Sequence, residues 1–136
     1  MDQSRFRAYL SAFNARDYAT LHRDFFALDV QLITLGHVLN GQAGIRAFYD
    51  FFHQHVRETI HLIGFYPTPD GIFAHVGMRL EAFAPLSAER LAAAGVGRIP
   101  AIAAGAVFEN EMFIHYQITD GKFKLIRCAT YVPPTD

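Results

Sequence analysis

The sequence predicts an α+β domain in which three helices cover one face of a mostly antiparallel sheet. In the first half of the chain apolar residues recur at helical spacing, and in the second half they alternate with a period of two. Clusters of Gly, Pro and Asp separate the alternating stretches. With 136 residues, of which 51% are hydrophobic, the chain can bury one core. We therefore expect a single domain, 1–136, that needs neither a disulfide nor a metal ion for stability.

The first half contains the predicted helices and one short strand. These elements are a helix capped by Ser4, a second helix capped by Asp17, a strand over 30–35, a loop over 36–41 and a third helix over 42–56.

The second half contains four predicted strands. They cover 59–66, 72–83, 106–119 and 122–132. The dipeptide Asp120-Gly121 between the last two is typical of a tight hairpin, so these strands should run antiparallel.

An extra segment, 84–105, separates the second and third of these strands. Ser87 as N-cap and Gly95 as terminator predict a short helix within it. A connection this long in a compact domain is usually functional or mobile. A lid and an arm that bridges two subunits are both open as interpretations.

Charge and motif content exclude several classes of function. Twelve cations against thirteen acids, without a basic stripe, argue against nucleic-acid binding. No apolar run reaches the ~18 residues of a membrane span, so we expect no membrane partner. The single Cys128 suits a reducing compartment, so we expect a cytoplasmic protein. His53 and His55, two apart on a helix, cannot share a metal ion. Without a ligand motif, neither a metal nor another cofactor is expected.

Three short stretches resemble a known superfamily. They are 9–18 (YLSAFNARDY), 40–49 (NGQAGIRAFY) and 118–123 (ITDGKF). Together with the order of elements, they are similar to the nuclear transport factor 2-like superfamily, in its SnoaL-like and ketosteroid-isomerase-like branch. The resemblance implies a cone-shaped, cystatin-like fold around a deep apolar pocket. It also implies a homodimer formed through the outer face of the sheet.

The resemblance also says where the catalytic groups of ketosteroid isomerases would lie. Their hydroxyl donor on the first helix matches Tyr9. Their two acids match Thr34 and Ile114, and neither side chain can hold a proton near pH 7. Steroid isomerisation by that mechanism is therefore not expected. The His and Asp of polyketide cyclases have no clear match.

Strand alternation predicts which residues line the pocket. The predicted ligand-binding residues are the strand residues Met78, Asn110, Met112, Ile114, Tyr116, Cys128 and Thr130, together with Tyr9 and Thr34, which the resemblance implies. Tyr9 and Tyr116 are the catalytic candidates within this set. The alternative interpretation makes all of them ordinary core, since a core needs many large side chains.

The opposite face of the strands collects ionisable residues. They are His75, Arg79, Glu81, Glu109, Glu111, His115 and Arg127. Cross-strand ion pairs on the dimer face are the first interpretation. A register slip of one residue would instead bring His75 or His115 into the pocket with Glu109 or Glu111, as an acid/base pair.

Three functions follow as hypotheses. The first is a small-molecule-binding protein of the SnoaL-like type, possible chemistries being isomerase, cyclase or dehydratase reactions that transfer a proton on a hydrophobic cyclic substrate. Such an enzyme would be a cofactor-independent lyase or isomerase. The second is a non-catalytic carrier of an apolar ligand. The third is a dimeric interaction protein with a vestigial pocket.

Overall fold

A computed structural model describes residues 1–135. The helices are α1 (Gln3–Asn14), a single turn α2 (Tyr18–Thr20), α3 (Gly41–Phe52) and α4 (Ala88–Ala93). The strands are β1 (Phe26–Thr34), β2 (His37–Asn40), β3 (Val56–Thr68), β4 (Gly71–Ala82), β5 (Val107–Thr119) and β6 (Lys122–Tyr131). The predicted α+β class is confirmed.

The six strands form one sheet in the order β2-β1-β6-β5-β4-β3. Only β1 and β6 pair in parallel, and all other neighbours are antiparallel. At the β5–β6 hairpin Asp120 and Gly121 both have positive φ, at 53° and 76°, as a tight turn between twisted strands requires. The predicted hairpin is thus confirmed.

The helices cover one face of this sheet and bury an aromatic core. Phe6 of α1 is fully buried and packs edge-on against Tyr116 of β5, with 5.2 Å between ring centroids. Phe123 of β6 lies 4.7 Å from the same ring. Burying such aromatic side chains supplies most of the driving force that holds α1 on the sheet.

The chain between α1 and α3 differs from the prediction. The N-cap of α1 is Asp2, whose carboxylate accepts from Arg5 N, and not Ser4. The predicted second helix stops after one turn and continues as a wide π-helical turn over Leu21–Phe25. The side-chain amide of Gln42 donates to the carbonyls of His22 in this wide turn and of Phe26 just after it, and so satisfies two backbone acceptors. The strand β1 begins at Phe26 instead of residue 30.

Two further boundaries were wrong. The predicted loop 36–41 contains β2, which pairs with β1 in a hairpin. The third helix ends at Phe52 and not at residue 56, and β3 begins at Val56. The chain therefore reverses direction within three residues, which places the end of α3 beside the start of β3.

The extra segment 84–105 is an ordered part of the domain. Ser87 caps α4 by accepting from Arg90 N, as the sequence predicts. Leu86, Leu91 and Ile102 are buried against the end of α3 and the start of β3. Within residues 1–135 no helix is long and apolar enough to cross a membrane.

Candidate functional site

A cavity of about 370 Å³ lies between α3, the inner face of the sheet and segment 84–105. Phe48 and Phe52 of α3 form one wall, and Ile99 and Ile102 of the extra segment form another. The segment therefore contributes directly to the cavity. This position is the one expected of a lid, although its movement stays a prediction.

Six of the nine predicted ligand-binding residues line this cavity. They are Thr34, Met78, Asn110, Met112, Cys128 and Thr130. The other three, Tyr9, Ile114 and Tyr116, do not line it and belong to the packed core. The rings of Phe6 and Phe123 fill the space around both tyrosines. Ligand binding by any of these residues stays a prediction.

The register-slip alternative does not place its residues at the cavity. In the β4–β5 pairing His75 lies opposite Phe113, and Arg79 lies opposite Glu109. No irregularity interrupts this pairing, so His75, His115 and Glu109 stay on the outer face. There His75 stacks on Phe113 and Arg79 pairs with both Glu81 and Glu109.

The acid that the structure places at the cavity is Glu58, near the start of β3. Its side chain is only 7% exposed, and it lies on the same strand face as the buried Val56 and Ile60. Its Oε1 lies 2.9 Å from Nε2 of His53, the C-cap residue of α3. No hydrogen bond of its other oxygen, Oε2, is found among residues 1–135, and Glu58 lines the cavity.

Two residues of the α1 terminus hold this part of β3 in place. The Asn14 side chain donates to the carbonyl of Ile60 at 2.8 Å and accepts from its amide at 2.9 Å. The Arg16 guanidinium donates to the backbone carbonyl of Glu58. The segment 14–17, which the sequence shows only as a helix break, therefore serves as a clamp that sets the position of Glu58.

Neutral hydroxyl and thiol groups surround the carboxylate. Burial raises the pKa of the Cys128 thiol to about 12, the negative charge of Glu58 adds to the rise, and a hydrogen bond with Thr34 opposes it. Burial, and then the charge of Glu58, also raise the pKa of the cavity-lining Tyr49. Both groups stay protonated at neutral pH, so they can donate hydrogen bonds to a ligand.

The core tyrosines are neutral for the same reason. Burial raises the pKa of Tyr9, with a hydrogen bond from Tyr116 opposing the rise, and burial also raises the pKa of Tyr116. Because neither lines the cavity, they act on its contents only through packing.

Sequence reasoning missed both Glu58 and His53 as site residues. One signal was present for Glu58, which is a carboxylate on the buried face of an otherwise alternating strand. The sequence gives no such signal for His53, because its contact with Glu58 depends on how tightly the chain turns after α3. No group of three or more His, Cys, Asp or Glu within 1–135 is arranged to hold a metal ion.

The fold and the family are shown by comparison with known proteins. A candidate polyketide cyclase from Xanthomonas campestris pv. campestris superposes with a TM-score of 0.73 at 19% identity, over 90% of this chain and 84% of that one. A Mycobacterium tuberculosis LEH-like epoxide hydrolase superposes with a TM-score of 0.68 at 12% identity, over 93% and 79%.

A third structure is similar over almost the whole chain. It is a hypothetical protein with a ketosteroid isomerase-like fold from Catenulispora acidiphila, in complex with trimethylamine, at a TM-score of 0.69, 10% identity and coverage of 95% and 86%. No curated protein matches the sequence significantly. The family model of the SnoaL-like domain matches residues 6–126. The chain therefore belongs to the SnoaL-like domain family, within the nuclear transport factor 2-like superfamily.

Proposed function

We propose that this protein binds a hydrophobic cyclic small molecule and transfers a proton on it without a cofactor. The observation that carries the proposal is Glu58, a carboxylate with one oxygen bound to His53 and the other left for a ligand in a mainly apolar cavity. Taking a carboxylate out of water is costly, and proteins seldom do so without a use for it. Such a carboxylate is well placed to act as a general base.

Tyr49 supplies the second group that proton abstraction needs. Tyr49 lines the same cavity, its hydroxyl stays protonated, and no hydrogen bond of that hydroxyl is found within residues 1–135. When a base removes a proton next to a carbonyl, negative charge develops on the carbonyl oxygen, and a positioned donor stabilises it. Glu58 and Tyr49 together are suited to enolise a cyclic ketone, a step shared by isomerase, cyclase and dehydratase reactions.

The structural neighbours support a reaction on a small molecule. Two of them are named as a candidate polyketide cyclase and an epoxide hydrolase. The volume of the cavity, about 370 Å³, lies within the range of small-molecule sites.

The test is the exchange of the α-hydrogens of 2-tetralone with D₂O, followed by ¹H NMR. The wild-type protein should accelerate the exchange, and Glu58→Gln should reduce the acceleration by at least about 100-fold, because general-base catalysis contributes about 10²–10⁴-fold. Glu111→Gln, an acid-to-amide change on the outer face, is the matched control and should leave the rate unchanged. Equal rates in wild type and Glu58→Gln would overturn the proposal.

A non-catalytic carrier is the second candidate. It is favoured by the mainly apolar wall and by the pairing of Glu58 with His53, which gives the carboxylate a structural use. Native mass spectrometry of the purified protein distinguishes the two functions together with the exchange assay. A retained cyclic compound without any exchange activity would support the carrier.

We also propose a homodimer through the outer face of the sheet. Phe73, Phe113 and Tyr131 are 42–47% exposed there, beside charged residues of both signs such as Arg79 and Glu109. Exposed aromatic side chains with mixed charge suit a self-complementary interface. Sedimentation at micromolar concentration should give a dimer, and Phe113→Lys should give a monomer. A wild-type monomer would remove this proposal.

A further inference from the structure

Behind Glu58, on the side away from the cavity, two hydrogen bonds lead toward the surface. His53 Nε2 lies 2.9 Å from Glu58 Oε1, and His53 Nδ1 lies 2.6 Å from the Tyr18 hydroxyl oxygen. Neither His53 nor Tyr18 lines the cavity. The His53 side chain is 6% exposed, whereas Tyr18 is only partly buried. The chain of atoms therefore runs from a buried carboxylate to solvent without entering the cavity.

With Glu58 ionised and His53 neutral, the chemistry of the three groups sets the direction of these bonds. An ionised Glu58 can only accept, so Nε2 of His53 carries the proton between them. A neutral imidazole then has an unprotonated Nδ1, which accepts from the hydroxyl of Tyr18. Both donors point toward the carboxylate, and the chain is set to deliver a proton to it.

We propose that Tyr18 and His53 form a proton path that lets Glu58 exchange protons with solvent while a ligand fills the cavity. This inference depends on the proposed function only for its use in catalysis. In an inward transfer Tyr18 gives its proton to Nδ1, the Nε2 proton moves to Oε1, and water reprotonates Tyr18. One proton passes from water to the carboxylate, and His53 is left as the other neutral tautomer. In that tautomer Nε2 can accept the proton of Glu58 while Nδ1 donates its proton to the Tyr18 oxygen, whose own proton leaves to water. The next transfer therefore runs outward, and successive transfers alternate in direction.

Aromatic packing holds the path in line. The His53 ring stacks on the Tyr49 ring, at a centroid distance of 4.8 Å and an interplanar angle of 20°, and lies nearly coplanar with the adjacent Tyr18 ring, at 6.0 Å and 12°. Phe13 meets the His53 ring edge-on at 5.9 Å. A ring fixed in this way cannot easily turn to exchange its two nitrogens, so each nitrogen keeps one partner.

The surface end of the path is also organised. The Arg46 guanidinium lies 4.6 Å from the centroid of the Tyr18 ring and pairs with Asp50 on the next turn of α3. Burial raises the pKa of Tyr18, so its hydroxyl remains a donor at neutral pH. Tyr18 is therefore a neutral, positioned group where the path meets solvent.

The test is the rate at which the His53 Nε2 proton exchanges with water, measured by magnetisation transfer on ¹⁵N-labelled protein without ligand. Tyr18→Phe keeps the ring beneath Arg46 and removes the hydroxyl, and it should slow the exchange at least tenfold. Tyr49→Phe is the matched control, because Tyr49 stacks on the same ring without bonding to it, and it should change the rate less than twofold. An unchanged or faster exchange in Tyr18→Phe would overturn the path.

Long-range ¹⁵N spectra of the same samples provide a second check that needs no visible Nε2 proton. In wild-type protein at pH 7 they should show a neutral His53 protonated at Nε2, with the Nδ1 signal shifted in Tyr18→Phe. A His53 that is protonated at Nδ1 alone, or at both nitrogens, would contradict the assigned direction.

The 2-tetralone assay separates this inference from the proposed function. If both hold, Tyr18→Phe should lower kcat for deuterium uptake at least fivefold with an unchanged KM. Without the path, Glu58 more often gives back to the substrate the same proton that it removed, before deuterium from the solvent can replace it. If no exchange of 2-tetralone occurs in wild type, the proposed function fails, while the ¹⁵N measurements still decide whether the proton path exists.

Discussion

The two faces of the strands β3 to β6 carry their ionisable groups in opposite ways. The outer face has many, including Arg79, Glu81 and Glu109, and they are exposed and paired with one another. The cavity side has one carboxylate, Glu58, almost fully buried and partnered by His53. Exposed ion pairs contribute little because water screens them, whereas a buried carboxylate interacts strongly with whatever shares its cavity. The candidate site is therefore identified by the burial of its carboxylate and not by how many charged residues a face carries.

The largest expected difference between the faces is in the free energy of unfolding. Ile114→Lys would put an unpaired charge into the core beneath α1, where Ile114 is 3% exposed, and should cost about 3–5 kcal/mol or prevent folding. Phe113→Lys, one residue away on the outer face, should fold with nearly the stability of the wild-type monomer, so the comparison is made at protein concentrations too low for the proposed dimer to form. Urea unfolding of both variants measures the difference, and similar losses would mean that the outer face is buried in the folded protein.

A second comparison concerns the clamp on β3. Asn14→Ala removes two hydrogen bonds to the backbone of Ile60 and should lower the free energy of unfolding by about 2 kcal/mol. Gln31→Ala, which removes the exposed hydrogen bond to Asn40, is the control and should change stability far less. If the two losses were alike, the clamp would not position Glu58.

A third prediction uses the thiol beside Glu58. The raised pKa of Cys128, about 12, keeps the thiol protonated at pH 8, so iodoacetamide should alkylate it much more slowly than an ordinary exposed cysteine. Glu58→Gln removes the charge that helps to raise this pKa. The thiolate fraction should then increase, and alkylation at pH 8 should become severalfold faster. An unchanged or slower reaction in Glu58→Gln would show that the charge of Glu58 does not raise the pKa of the thiol.

The smallest effect is expected on the outer face. Arg79→Gln breaks pairs with Glu81 and Glu109 that are exposed in the single chain, and at concentrations too low for the proposed dimer the urea midpoint should stay within experimental error of the wild type. A large loss would mean that these pairs are buried, as they would be in a tight dimer. Repeating the measurement over a range of protein concentrations tests that explanation.

The sequence by itself determined the fold class, the alternation of β4, β5 and β6, and both the Asp120-Gly121 hairpin and the Ser87 cap. These features depend on neighbours in the chain, since alternation and turn chemistry act over a few residues. The same alternation predicted the cavity-lining Met78, Met112 and Cys128. The alternation also predicted Tyr116, and the resemblance pointed to Tyr9. Both lie in the packed core and not at the cavity, because aromatic rings fill the space around them.

Only the tertiary structure decided the chemistry of the site. Tyr18, His53 and Glu58 come from α2, the end of α3 and β3, and their contact depends on the early end of α3 and on the clamp from Asn14. The π-helical turn and β2 were likewise set by distant partners, such as the Gln42 amide. Local patterns record which residues a strand or helix tends to bury. The hydrogen bonds between separate elements follow from how those elements pack, which the pattern of any one of them does not contain.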